Sequence, residues 1–528
     1  MKIDLQKSFW KSLSLLFLFT LLLGCASTPP PPKKKEKPKI PLVHFIILHT
    51  NDFHGQMLPK MIKKGKNTIV VGGAPNLAAY IKKVRKTAEK EGAQVMLLDA
   101  GDCYQGTPEG NLTKGRMVID YMNYIQYEAM TIGNHEYDFS EKNLIALSRL
   151  SNFPFLSSNL FRKKDFQPVS YAKPYIFLKK KGFTFAIVGL TTQDLYKVAA
   201  EKFVSHLMVM PEIPTARKIR DQVALQKPDF IIFLTHIGFE ADQELAKNVK
   251  GIDLIIGGHS HTRLTKPRIF GKCWVVQAHD KGKAIGRIDL WFNKKTHQLV
   301  KRKYQLVSIP QPGLKPDRET LKIIGEFSPA IEKIMNRVIG FLKKPLKRVG
   351  GTNSSPLGNL FADAMREASG AQIAFQNKGG IRDNLPAGKI RYRQVFQVAP
   401  FDNTLVLMKL KGSEILELFK KGFQFKEVLE VSGAKCYYRI RPNGKIEIYQ
   451  VMIGNQLLEK DQDYVVVTNS FLADGGDGFS TFKQGRQRTL MGISYRKALE
   501  DYLRNHSPLD YQYENRYYSE KVEKGLKK

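Results

Sequence analysis

Cysteine is nearly absent from this sequence: four occur among 528 residues, Cys25, Cys103, Cys273 and Cys436. So few thiols, so widely spaced, exclude a disulfide framework and a Cys-based zinc site, and leave room for a single bridge at most. Long apolar runs are missing as well. The run from Leu13 to Leu23 is shorter than a membrane span requires. No internal repeat is evident. Acidic side chains are scarce, 49 Asp and Glu against 84 Lys and Arg, for a net charge of +35. A surface of that sign favours anionic small molecules, nucleic acid or anionic membrane, although a solvated surface in a basic proteome has the same composition. No basic–aromatic nucleic-acid module accompanies the charge, so no specific nucleic-acid partner is expected. Hydrophobic content of 42% and aromatic content of 10% are ordinary for globular protein, which excludes disorder as the main state.

What is present begins with a targeting signal. Lys2, Lys7 and Lys11 precede the Leu13–Leu23 run, which ends in LLLGCAS. A basic region, a short apolar region and a small residue form the pattern of a secretory signal. LLGC resembles a bacterial lipobox, so residues 1–25 read as a lipoprotein signal peptide with Cys25 as the lipidated residue. Residues 26–42 read as a Pro/Lys-rich linker, extended by proline and solvated by lysine. The expectation is export across the inner membrane and a lipid anchor in the bacterial cell envelope, periplasmic or surface-facing.

The length suggests two or three domains. From Val43 onward, apolar runs such as FIIL, VMLL, FAIVGL and FIIFL alternate with amphipathic stretches such as Ala74 to Gly92. That alternation predicts a layered α/β domain over 43–309. Pro, Gly and Lys then concentrate, and a helix is expected from about Asp317 to Ile339, within a connecting segment 310–340. A second, smaller α/β domain is expected over 341–510, opening with the capped helix in SSPLGNLFADAMREASG. Residues 511–528 read as a basic, frayed tail.

Five segments of the first domain share one design, an apolar strand followed by metal-competent side chains. FIILHTNDFHG offers Asp52 and His54. VMLLDAGDCYQG offers Asp102. AMTIGNHEYDFS offers Asn134, His135 and Asp138. DFIIFLTHIGF offers His236, and DLIIGGHSHT offers His259 and His261. Ligands on loops at one end of a sheet converge on one cleft. Carboxylate, imidazole and amide donors without thiolate suit Zn, Mn, Fe or Co rather than a structural zinc. Two such ions about 3.5–4 Å apart can clamp a phosphoryl group, with one carboxylate bridging them. Asp102, alone in its loop, is the natural bridge. In an extended segment His259 and His261 would point to the same side, about 6.6–6.8 Å apart, a span suited to two ions rather than one.

This ordered set resembles the calcineurin-like metallophosphoesterases, and the fuller text LHTNDFHG, DAGDCYQGTP, GNHEYD and GGHSHT looks like the 5′-nucleotidase family. The resemblance covers about Val43 to Phe482. It implies a four-layer α/β/β/α metallophosphoesterase domain, a linker helix and a C-terminal substrate-binding domain. It also implies two divalent ions, one on Asp52, His54 and His261 and one on Asn134, His236 and His259, with Asp102 bridging. His135, oriented by Asp138, would stabilise developing charge and assist the leaving oxygen.

In the second domain, NKGGIRDNL resembles the family's N-G-G-G-I-R, and NSFLADGGDGF resembles its F-x-x-x-G-G-D-G-F. Phe401 and Phe471 would sandwich a nucleobase, Arg382 would grip phosphate or ribose, and Asn377 and Asp477 would bond the nucleoside. Two departures stand out. Lys378 replaces a glycine, which would add charge near the anion and strain the turn if that residue needs positive φ. Gly351 and Ser354 stand where relatives carry arginine and glutamate, leaving Lys347 or Arg348 to compensate. The expected activity is hydrolysis of nucleoside 5′-monophosphates. The alternatives are a 2′,3′-cyclic nucleotide phosphodiesterase, a UDP-sugar or NAD pyrophosphohydrolase of the same family, or a non-catalytic basic surface lipoprotein that binds polyanions.

Overall fold

The structure, a computed structural model, describes residues 41–64, 67–198, 201–401, 403–441 and 443–521. The signal sequence, Cys25 and nearly all of the Pro/Lys stretch lie outside the described residues. Among the described residues no helix is long and apolar enough to cross a membrane.

The apolar runs fold into two packed six-stranded sheets. In the first, Leu42–Thr50, Gln94–Asp99, Ala129–Thr131 and Phe155–Leu156 run parallel, and Ala284–Asn293 and Leu299–Ser308 complete it antiparallel. In the second, Phe183–Thr191, Phe230–His236, Leu254–Gly257 and Cys273–Val276 run parallel between two antiparallel edges. The pleat explains why the strands are apolar throughout. Phe45 and Ile47 face the other sheet with Met96, Leu98, Ile187 and Ile232. Ile46 and Leu48 point the opposite way, onto Leu77, Ile81 and Val84 of the helix Ala74–Glu91. On the far side Val188, Phe233 and Ile255 pack on Ala216, Val223 and Leu245 of two further helices. Both faces of each sheet are therefore covered, as continuous apolar strands require, and the layers read α/β/β/α.

The helix expected around 317–339 spans Arg318–Met335. Asp317 caps it and accepts from Lys82 Nζ (2.6 Å) and Tyr124 Oη (2.9 Å), fastening it to the first sheet's helices. Beyond it, a five-stranded sheet in the order Glu430–Ser432, Ile373–Gln376, Asp463–Asn469, Thr404–Lys411, Arg486–Ser494 forms the second α/β region. Helices Pro356–Ser369 and Tyr495–Asn505 bury Leu360, Phe361 and Leu499 on one face, and helix Gly412–Gln424 buries Leu418 and Phe419 on the other.

Residues 517–521 correct the frayed tail expected over 511–528, whose last seven residues lie outside the described residues. Tyr517–Lys521 is a strand running parallel to Ala434–Ile440. Tyr517 is buried, and the Arg516 guanidinium pairs with Asp363 at 2.8 Å. Polar, charged text hid this strand because its stability comes from an edge made by residues about 80 positions earlier.

Candidate metal centre and substrate cleft

Every metal-competent side chain sits at the carboxyl end of a parallel strand. Asp52 and His54 follow Leu42–Thr50, Asp102 follows Gln94–Asp99, and Asn134 and His135 follow Ala129–Thr131 in the first sheet. In the second sheet His236 ends Phe230–His236, and His259 and His261 follow Leu254–Gly257. Ligands in open α/β sheets gather at such ends, and here two sheets deliver to one point. In one knot, His54 Nε2 lies 3.0 Å from His261 Nε2, which is 3.4 Å from Asp52 Oδ1. In the other, Asp102 Oδ2 lies 3.0 Å from His236 Nε2, while Asn134 Oδ1 is 2.9 Å from His259 Nδ1 and 3.3 Å from His236 Nε2. Ligand atoms of Asp52, His54 and His261 all lie within 4.8 Å of one another, as do those of Asp102, His236 and His259. Asp102 also clusters with His54 and His135, which puts its carboxylate between the two knots.

The backbone is strained at this point. Asp52, His54, Asp102, His259 and His261 have φ of 48°, 49°, 55°, 76° and 54°, all in the left-handed region. L-residues with side chains seldom adopt it, and each instance costs about 1–3 kcal/mol. This corrects the extended-segment geometry expected for GGHSHT. His259 and His261 reach different knots because the chain coils left-handed beyond Gly257, not because alternate residues of a strand share a side.

The strain is held by groups that the sequence left without roles. Gln277, fully buried, donates to Gly258 O (2.9 Å) and accepts from Ser260 Oγ (3.1 Å) and from Thr262 N, so it clasps the loop on both sides of the histidines. The His259 N–H donates to both Asp52 oxygens, at 3.0 and 3.1 Å. Asn51 donates to Asp52 Oδ2 (2.6 Å) and accepts from Ala278 N (2.7 Å). Glu136, buried within GNHE, accepts from the N–H groups of Asp102, Cys103 and Gly133 at 2.8, 2.9 and 2.7 Å. GNHE gave a signal for Glu136. LHTNDFHG likewise contains Asn51, whereas nothing in the sequence signalled Gln277.

Ring orientation and donor chemistry fit two divalent ions. The ring Nδ1 of His54 faces Gln105 O at 2.8 Å and that of His236 faces Ala100 O at 2.7 Å. A backbone carbonyl can only accept, so each Nδ1 carries the proton and each Nε2 is aimed at the centre, the usual outer arrangement of a metal-binding histidine. Burial pushes His54 and His259 down to about 4, which keeps them neutral and able to coordinate. Burial opposes charge on His236 too, but the adjacent Asp102 carboxylate outweighs it and raises that imidazole to about 10. Asp102 is held well below the usual carboxylate range, its desolvation being overridden by His236 and His135. Imidazole, carboxylate and amide oxygen, with no thiolate among them, match first-row divalent ions.

His135 stands beside the metal ligands. Its Nδ1 lies 2.7 Å from Asp138 Oδ2, and its N–H donates to Asp102 Oδ1 at 2.9 Å. Burial alone would lower its pKa; Asp138 and then Asp102 prevail and raise it to about 10.

A cleft of about 840 Å³ opens over this centre. Its walls include His54, Asp102 and His135 on one side and Phe401 and Phe471 on the other. Both rings are 42–45% exposed, so neither is a core residue. Asn377 Nδ2 donates to Asp477 Oδ2 at 2.8 Å. The Arg382 guanidinium donates to Gly379 O (3.2 Å) and lies 6.0 Å over the Phe401 ring. Lys378 departs from its expected place near the anion. It is buried, and its ammonium donates to Val349 O (2.9 Å), Asn353 O (2.7 Å) and Glu430 Oε1 (2.8 Å). It adds no charge to the cleft and has no positive φ; it ties an inner loop to a buried acid.

A calcineurin-like phosphoesterase model matches residues 45–263, and a model of the 5′-nucleotidase C-terminal domain matches residues 338–484. The chain belongs to the 5′-nucleotidase family. It is similar to protein UshA of Yersinia enterocolitica, 29% identical over 93% of this chain and 96% of that protein. A 5′-nucleotidase of Vibrio parahaemolyticus is 28% identical over 93% of both chains. Among solved structures, a 5′-nucleotidase precursor from Thermus thermophilus superposes with a TM-score of 0.63 at 29% identity, over 90% of this chain and 99% of that one. As a member of this family the protein is a metal-dependent phosphoester hydrolase, and its two knots of ligands are where the family's divalent ions would bind.

Proposed function

We propose that the protein is a cell-envelope nucleotide phosphohydrolase that cleaves nucleoside 5′-monophosphates to nucleoside and phosphate. One observation carries the substrate: two exposed phenylalanines, Phe401 and Phe471, line the same cleft as the metal ligands. A base stacked on such rings gains about 1–3 kcal/mol with little preference among bases. Its phosphate then extends toward Asp102 and His135. Relatives named 5′-nucleotidase support the same substrate.

Two divalent ions bound by Asp52, His54, His261, Asn134, His236 and His259, with Asp102 between them, would supply Lewis-acid charge neutralisation and an activated water. This chain's own residues do the rest. Asp138 fixes the His135 ring through Nδ1, which leaves Nε2 to stabilise charge on the phosphoryl group and to give a proton to the departing nucleoside oxygen. Phe401 and Phe471 orient the nucleoside, and Asn377 and Asp477 hold the adjoining loops together. The basic leader and LLGC motif support export and lipid attachment at Cys25.

The test is a hydrolysis panel with added Mn²⁺, Zn²⁺ or Co²⁺ over 5′-AMP, 5′-UMP, 2′,3′-cyclic AMP, UDP-glucose and NAD. Phosphate release should be fastest from the 5′-monophosphates and should fall at least about 100-fold in His135→Ala, the scale of lost general-acid catalysis. Faster turnover of the cyclic or pyrophosphate substrates would replace this substrate assignment. Labelled palmitate should enter the wild type and not Cys25→Ala; equal labelling would dismiss the anchor.

A further inference from the structure

His261 has few supports of its own. The rings of His54 and His236 are locked through Nδ1 to backbone carbonyls, at 2.8 and 2.7 Å. His261 Nδ1 lies 3.9 Å from Asp280 Oδ2, beyond hydrogen-bond reach. The His261 side chain is 41% exposed, whereas that of Asp52 in the same knot is fully buried. Its backbone stands at φ 54°, and among the described residues no hydrogen bond reaches its N–H or its carbonyl. A conformation of that kind persists only where the surroundings impose it.

The surroundings act on its neighbours. Thr262 N donates to Gln277 Oε1, and Ser260 Oγ donates to the same oxygen at 3.1 Å. Gln277 Nε2 donates to Gly258 O at 2.9 Å, so one fully buried amide fixes the chain before and after His261. The His259 half of the loop has support that does not pass through Gln277. Its N–H donates to both Asp52 oxygens, and Gly258 O also accepts from Ser260 N at 3.0 Å. Removing the Gln277 amide therefore strips the Thr262 N–H of its partner beside the strained His261 and leaves His259 held.

We infer that Gln277 is a positioning residue that sets the affinity of the Asp52, His54 and His261 knot for its divalent ion. The knot of Asp102, Asn134, His236 and His259 does not depend on it. Groups that orient metal ligands from outside change metal affinity about 10- to 100-fold, and here the effect falls on one ion of two. The inference deepens the proposed two-ion chemistry and rests on that reading.

The experiment uses the full chain stripped of metal. Mn²⁺ alone is titrated calorimetrically into wild type, Gln277→Met, His261→Ala and the variant carrying both changes. Gln277→Met should weaken one of two binding steps about 10- to 100-fold and leave the other nearly unchanged. His261→Ala should weaken the same step. The double variant should bind no more weakly than His261→Ala, because both changes act through one ligand. If Gln277→Met does not fold, Gln277→Asn replaces it in the same cycle, its amide one methylene too short to span Gly258 O and Thr262 N. Equal weakening of both steps, or additive losses in the double variant, would overturn the inference. A wild type that binds a single ion would defeat the two-ion reading and this inference together. Two ions bound alike by wild type and the Gln277 variant would defeat this inference alone.

Discussion

Adding one methyl group at Gly133 should disable the metal centre. A Cβ built there would lie 2.2 Å from Asp102 Oδ1 and 2.7 Å from Asp102 N, where real Cβ contacts essentially never fall below 3.0 Å. The carboxylate oxygen would have to retreat by 0.8 Å merely to reach that limit. It is not free to do so. Asp102 Oδ1 accepts from His135 N at 2.9 Å, and the Asp102 and Gly133 N–H groups are both bonded to Glu136. Relief must therefore shift the carboxylate shared by the two knots, and a misplacement near 1 Å costs about 100-fold in rate, or about 2.7 kcal/mol. Gly133 has no positive φ, so backbone strain does not confuse the result. Gly325 is the control: it lies inside the helix Arg318–Met335, and an added methyl group there would have nothing within 4 Å. Gly325→Ala should stabilise by about 0.4–1 kcal/mol and leave activity intact. The assay pairs metal content by plasma mass spectrometry with kcat on 5′-AMP. Gly133→Ala protein that holds wild-type metal and turns over at the wild-type rate would refute the claim that Asp102 is locked in place.

Three further outcomes are expected. Phe471→Ala should raise KM for 5′-AMP by about 5- to 150-fold, the equivalent of about 1–3 kcal/mol of stacking, and leave KM for 4-nitrophenyl phosphate nearly unchanged; equal effects on the two would remove the stacking role. Lys378→Met strands the Glu430 carboxylate in the interior and should destabilise by about 3–5 kcal/mol, whereas Lys378→Met with Glu430→Met should cost far less; urea unfolding of the second α/β region decides between them. Burial alone would raise the Asp289 carboxyl, but hydrogen bonds from His44 and Arg287 hold it down at about 2. A depressed carboxyl contributes stability above its unfolded pKa near 4, and that stability is lost as pH falls from about 4 toward 2. Thermal melts across that window should show a shallower acid limb for Asp289→Asn, and parallel curves would count against the pairing.

Much of this protein was legible in the sequence because its strands are apolar on both faces and its ligands follow them directly. Phe45 to Leu48 announced a doubly covered strand, and Asp52, His54, Asp102, Asn134, His236, His259 and His261 fell in order behind such runs. Local text also determined the helix caps at Asp317 and Ser355. What it could not determine was direction. Asp52, His54, Asp102, His259 and His261 share a left-handed backbone that Asp and His adopt only as a minority conformation, sustained by Asn51 beside them and by Gln277 and Glu136 from other segments. Lys378 read as a charge for the substrate, yet Glu430, 52 residues away, takes it inward. Tyr517–Lys521 read as a tail, yet Ala434–Ile440 offers it an edge. Periodicity and spacing report which residues can be buried or can bind metal. Which partner each one meets depends on hydrogen bonds and packing between segments far apart in the chain, and only the tertiary structure supplies those.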